Sequence, residues 1–307
     1  MPAIMVFGPR RVRRLVVAVL AALVTLGIAY GPREPIAPAM ISSGIVAATP
    51  DRPLRIAYDT APDCFGELYL PRTGPGPFPV VVLIHGGGWS QNRTLTQFDA
   101  QSTALAENGV AVWNIEYRRV NGAGGWPVTL TDVADAVLAL ATTVQQQSGN
   151  ALDLQRIQVA GHSAGGHLAA WVAGRFQRSP EPKALRIRSA TLMSAVLDPE
   201  YAVTKGRDGF VRKLLGGSPS EVPERYRYAS PIAHLPTGVR ITALHGDADT
   251  VVAPEQSRRY VNAARRAGNS ADLRLLPGTG HGEFADATSS AWALAQQVIL
   301  DHAETVR

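Results

Sequence analysis

A single cysteine, Cys64, in 307 residues excludes an intramolecular disulfide and any zinc cluster built from cysteines. Alone it reads as a small buried side chain. Acidic residues are missing from the first thirty positions, where Arg10, Arg11, Arg13 and Arg14 stand, and this lopsided start supplies most of the formal net charge of +5. The rest of the chain carries about +1 and lacks any basic block able to follow a phosphate backbone, which argues against nucleic-acid binding. There is no internal repeat and no low-complexity tract. Charged residues are 18% and hydrophobic residues 46%, a balance that excludes a disordered or fibrous chain. The length suits one large domain whose core needs no staples.

The arginines are followed by an uncharged stretch, Leu15 to Ala29, shorter than the roughly 20 apolar residues of a full membrane span. Residues 1–30 therefore read as a signal peptide, or as a membrane anchor if uncleaved, and predict export. Arg13-Arg14 weakly resembles a twin-arginine signal. Residues 31–53, with five prolines, read as a linker.

From residue 54 the pattern becomes regular. Residues 54–70 suit antiparallel strands. Val80–Ile84 is a continuous β-branched run, as in a strand buried on both faces. Helices over 96–108, 129–147, 164–176, 254–267 and 287–304 alternate with strands at Val110–Ile115, Arg156–Ala160, Ser189–Met193, Arg240–Leu244 and Leu273–Leu276. Such alternation predicts a mostly parallel sheet with helices on both faces. Residues 195–238 interrupt it with charges, aromatics and prolines, and read as a lid or cap over the sheet's carboxyl edge.

Gly161-His162-Ser163-Ala164-Gly165 lies between a predicted strand and a predicted helix. A G-x-S-x-G pentapeptide is common, but at that junction it describes a nucleophile elbow, the strained turn of the α/β-hydrolase fold that holds a serine above the sheet. A serine hydroxyl needs a base to take its proton and an acid to orient that base. In this fold both follow the serine along the chain, the acid first. His281 stands in a glycine-rich loop after the last strand. The acid falls in His245-Gly-Asp247-Ala-Asp249 after the preceding strand. Asp249 is favoured, lying deeper in the loop, while Asp247 is the alternative and is suited to capping the turn. An oxyanion needs backbone N–H donors. One is expected from Ala164, and the others from the run His85-Gly86-Gly87-Gly88-Trp89, where missing side chains let the backbone approach a substrate. The run contains no phosphate-cradling G-K-S/T or G-x-G-x-x-G. Trp89 and Trp126 suit a substrate pocket or plain packing.

With these motifs the chain resembles HGGGW-type α/β-hydrolase esterases and lipases: the hormone-sensitive-lipase-like, kynurenine-formamidase-like and polysaccharide-deacetylating esterase groups. The resemblance covers about residues 54–304 and rests on His85–Trp89, Asn114–Arg118, Trp126-Pro127 with Asp132, Gly161–Gly166, His245–Val252 and Gly280-His281. It implies a Ser163–Asp249–His281 triad, with Gly87 and Gly88 joining Ala164 as oxyanion donors. The expected function is a serine hydrolase of short-chain or acetyl small-molecule esters working through an acyl-enzyme, with an amidase, formamidase or peptidase as the alternative and no cofactor or metal needed; a non-catalytic binding protein of the same fold is disfavoured because all three triad members are present. Glu116 is a departure, since relatives often carry asparagine or aspartate there.

Overall fold

The strand Val80–Ile84 was expected to be covered on both sides, and its side chains divide by a period of two. A computed structural model of the chain describes residues 52–176, 185–206 and 208–305, all within the compact unit Val46–Arg307. Val80, Val82 and Ile84 enter one apolar cluster, and Val81 and Leu83 enter a second on the opposite face. The signal or anchor segment and the linker up to Asp51 lie outside the described residues. Among those described, no helix is long and apolar enough to cross a membrane.

The elements in chain order begin with strands β1 (Leu54–Ala57), β2 (Phe65–Tyr69) and β3 (Phe78–Ile84), then helix α1 (Asp99–Glu107) and β4 (Ala111–Ile115). Next come α2 (Val128–Leu138), α3 (Thr143–Gln147), β5 (Leu152–His162), α4 (Ala164–Phe176) and β6 (Ile187–Met193). The interrupting region holds α5 (Pro199–Thr204), α6 (Gly209–Leu215) and α7 (Pro223–Ala229). The chain then closes with β7 (Arg240–Gly246), α8 (Glu255–Arg266), β8 (Ala271–Leu276) and α9 (Ser290–Thr305).

The eight strands form one sheet in the order β1-β2-β4-β3-β5-β6-β7-β8. β1 and β2 are antiparallel, as their alternation predicted, and every pairing from β4 onward is parallel. Buried residues of α2, α4 and α8 fill one cluster, and those of α1 and α9 fill the other. This is the α/β-hydrolase fold. Its carboxyl edge collects the ends of β3, β5, β7 and β8, where the chemistry-bearing motifs lie.

Two elements differ from the sequence expectation. The helix expected over 129–147 stops at Leu138, passes through a short 3-10 turn at Ala139–Ala141 and restarts at Thr143. The indole N–H of Trp113 donates to the carbonyl of Ala136, an acceptor that a continuing helix would use for Leu140. Thr142 then leaves the helical region, at φ −127° and ψ −100°, beside a second β-branched residue. The strand expected at 156–160 is longer, because Leu152 and Asp153 pair with Phe78 and Pro79 across a register shift. That pairing is invisible to periodicity in residues 152–155, which are mostly half-exposed.

Candidate active site

β5 ends at His162 and α4 begins at Ala164, so Ser163 alone makes the turn. Its φ is +57°, a left-handed conformation that costs a non-glycine residue about 1–2 kcal/mol. The turn holds because its neighbours pin it. Ser163 N–H donates to the carbonyl of Met193 on β6, and its own carbonyl accepts the N–H of His167. Gly165 explains why only glycine serves there: a Cβ would run into the carbonyl oxygens of Ile84 and His85. The same close approach brings the end of β3, and the loop that follows it, against the elbow.

His281 Nε2 lies 3.0 Å from Ser163 Oγ, and His281 Nδ1 lies 2.7 Å from Asp249 Oδ2. The carboxylate accepts, so Nδ1 carries the proton and Nε2 is left to accept from the serine hydroxyl. Asp249 Oδ1 is itself held by the N–H groups of Val251 and Val252, each at 2.9 Å. Burial alone would raise the Asp249 pKa, but hydrogen bonds from His245, His281 and Val252 outweigh it and hold the carboxyl well below the usual carboxylate range. The side chain of Asp249 is fully buried and that of His281 is 17% exposed, so the pair is dry at one end and open to substrate at the other. The competing Asp247 takes the other role: its Oδ1 accepts the N–H of Gly278 at 2.7 Å and fastens the loop carrying His281.

The loop after β3 faces the same point. Gly87 and Gly88 have φ of +100° and +62°, and a Cβ on Gly88 would lie 2.7 Å from the ring of Phe210. Among the described residues no acceptor takes the N–H of either glycine. Ala164, first residue of α4, has no intrahelical acceptor for its own N–H and sits at the positive end of the helix dipole. These three backbone groups and Ser163 border one cavity of about 360 Å³, with Phe210 from α6 and Val251 on its rim.

The sequence did not single out what anchors this loop. Glu116, buried at the end of β4, accepts from His85 Nε2 at 2.8 Å and from the N–H of Leu95 at 3.1 Å. Arg119 pairs with Glu116 at 3.1 Å and donates to the carbonyl of Arg93, while Gln97 Oε1 accepts the N–H of Gly86. One carboxylate thus holds both ends of the loop, 85–95, that carries the glycine run. The one visible signal was Glu116 itself, out of keeping with the resemblance.

The two tryptophans lie in different surroundings. Trp89 borders the cavity, and its indole is buried and edge-on to His167 at 5.2 Å. Trp126 does not reach the cavity: its ring packs edge-on against Tyr228 at 5.0 Å, in a loop bonded to the Leu214 carbonyl. Among the described residues no group of three or more His, Cys, Asp or Glu is disposed to hold a metal ion.

The BD-FAE family model matches residues 67–263. The chain belongs to the BD-FAE family. Among the curated relatives of this BD-FAE chain, Esterase LipC of Mycobacterium tuberculosis (strain ATCC 25618 / H37Rv) is 34% identical over 74% of this chain and 59% of its own length. The kynurenine formamidase of Danio rerio is 25% identical over 70% of this chain and 69% of that protein. Among solved structures, the Thermogutta terrifontis esterase Est2 superposes with a TM-score of 0.65 at 24% identity, covering 82% of this chain and 91% of that one. The chain spans about half to three-fifths of the length of the first curated relatives it matches, 59%, 49% and 54%.

Burial also sets a pH limit on the BD-FAE domain. Desolvation pulls His162 down to about 3, and His167 and His302 to about 4. Unfolded histidines titrate near 6.5, so below that pH the unfolded chain binds more protons than the folded one. Stability present above pH ~6.5 is then lost as pH falls toward 4. The expected result is a Tm that drops steadily across this window, with His167→Gln showing a shallower drop. A Tm independent of pH between 6.5 and 4 contradicts the assignment.

Proposed function

We propose that this chain is a serine carboxylic-ester hydrolase acting on short-chain or acetyl esters through an acyl-enzyme. One observation carries the reading: the chain Ser163 Oγ, His281 Nε2, His281 Nδ1, Asp249 Oδ2, with links of 3.0 and 2.7 Å, opens onto a cavity beside unclaimed backbone N–H groups. His281 takes the Ser163 proton as Oγ attacks the carbonyl carbon. Gly87, Gly88 and Ala164 N–H donate to the oxyanion. His281 then gives its proton to the departing alcohol, and returns as base to activate the water that releases the acid. Asp249 holds the imidazole in the productive tautomer throughout. The region 195–238 serves as a cap, since Phe210 of α6 lies over Gly88.

The curated relatives named esterases support this reading. Similarity to a kynurenine formamidase favours an N-formyl amide as a second substrate class, cleaved by the same steps. The direct test is a fluorophosphonate probe followed by peptide mass mapping. Ser163 is expected to carry the label, and His281→Ala to carry almost none. Label on another residue, or no label on active protein, overturns the reading. Turnover of p-nitrophenyl acetate, butyrate and octanoate beside N-formylkynurenine then ranks the acyl groups, with acetate or butyrate expected first.

A further inference from the structure

We infer that His162 is a positioning residue for His281, fixing the base relative to the nucleophile; this rests on the reading that Ser163 and His281 carry out acyl transfer. His162 Nε2–H donates to the main-chain carbonyl of His281 at 2.8 Å, across 119 positions of sequence. The two rings pack with centroids 4.7 Å apart, and Phe284 lies on the His162 ring at 6.3 Å. His162 is 4% exposed and closes β5, so one covalent step separates it from Ser163.

The His281 loop needs such a hold. Gly278, Gly280 and Gly282 give it wide backbone freedom. Its other ties, Gly278 N–H to Asp247, Ala248 N–H to the Thr279 carbonyl and Gly280 N–H to Glu283, fall on the residues around His281. The bond from His162 grips His281 itself, and it comes from the element that presents the nucleophile. A short path through β5 therefore ties the base to the nucleophile, beside the longer path that runs through Asp249 and β7.

The chemistry of the ring fits the task. With the Nε2 proton directed at a carbonyl, Nδ1 is a bare acceptor, and it has no partner among the described residues. It faces Gly86, where a Cβ would stand 3.1 Å away, so the ring wedges between the oxyanion loop and the His281 loop. Burial keeps His162 neutral. When His281 becomes an imidazolium during reaction, no second cation opposes it from 4.7 Å.

The test uses the full chain with p-nitrophenyl acetate. His162→Gln sets an amide N–H near the position of Nε2, whereas His162→Asn is too short to reach and His162→Leu has no donor. Misplacing a reacting group by an ångström costs on the order of 100-fold. The expected result is a kcat reduced about 30- to 100-fold in Leu and Asn, with KM changed less than about threefold and fluorophosphonate labelling slowed in parallel. Gln is expected to return kcat to within about fivefold of the parent. Wild-type kcat in Leu overturns the inference, as does a Gln variant no faster than Asn at equal Tm. If Leu does not fold, the Gln and Asn pair decides. Ser163→Ala is assayed in parallel. If that variant retains turnover, the acyl-transfer reading itself is wrong. If it is inactive while all His162 variants match the parent, only the positioning role fails.

Discussion

Ser163→Ala is expected to lower kcat on p-nitrophenyl acetate by about 10^6-fold, leaving the residual rate that oxyanion donors and binding supply without a nucleophile. The loss is large because the variant removes the atom that forms the bond, while the other groups stay in place. The elbow does not depend on the hydroxyl: the Ser163 N–H to Met193 and the His167 N–H to the Ser163 carbonyl are backbone bonds. The variant should therefore fold, and its Tm should lie within a few degrees of the parent. Ser163→Gly sharpens the test. Both variants lack Oγ, but only glycine relaxes the φ of +57°. After the greater entropy of the unfolded glycine chain is subtracted, Ser163→Gly should exceed Ser163→Ala in stability by about 0.5–1 kcal/mol. Equal denaturation midpoints would deny the strain, and turnover in either variant above about 1% of the parent would deny the nucleophile.

Asp249→Asn is expected to reduce kcat by about 10^4-fold with little change in KM. An amide at this position offers an N–H where Nδ1–H now donates. That favours the tautomer with its proton on Nε2, which cannot accept from Ser163. Asp247→Ala is the matched comparison, and it should cost only about a few-fold, because Asp247 holds the Gly278 N–H at the loop's exposed flank. If Asp247→Ala proves the more damaging of the two, the acid has been misassigned. The pH dependence of stability supplies a separate readout. The folded pKa of Asp249 is depressed, so its carboxylate contributes stability above the unfolded value near 3.9 and loses it as pH falls below that. The Tm gap between parent and Asp249→Asn should be widest near neutral pH and close in acid below about pH 4.

Much of this site was legible along the chain because the fold reads its chemistry in order. A serine at a strand-to-helix junction, an acid after the next-to-last strand and a histidine after the last one are each set by local sequence and chain order. Asp249 separated from Asp247 less sharply. Both follow β7, and only the cross-loop bonds from Val251, Val252 and His281 distinguish a buried orienting carboxylate from a turn cap. Helix and strand bounds failed where side chains from elsewhere intervened, as the Trp113 indole does at Ala136.

The serine at the strand-to-helix junction, the histidine after the last strand, the glycine run and the mostly parallel sheet were written in the sequence, since each rests on residue type, spacing or a period of two or 3.6. Three features were decided only in three dimensions. Glu116 became the anchor of the loop after β3 because β4 lies beside β3 in the sheet. Of the two tryptophans, Trp89 came to line the cavity while Trp126 packed against Tyr228 outside it. His162, whose neighbour Ser163 drew all the attention in sequence, reached His281 because the ends of β5 and β8 come together at one edge. Hydrogen bonds between residues more than a hundred positions apart leave no local pattern, and tertiary packing alone selects them.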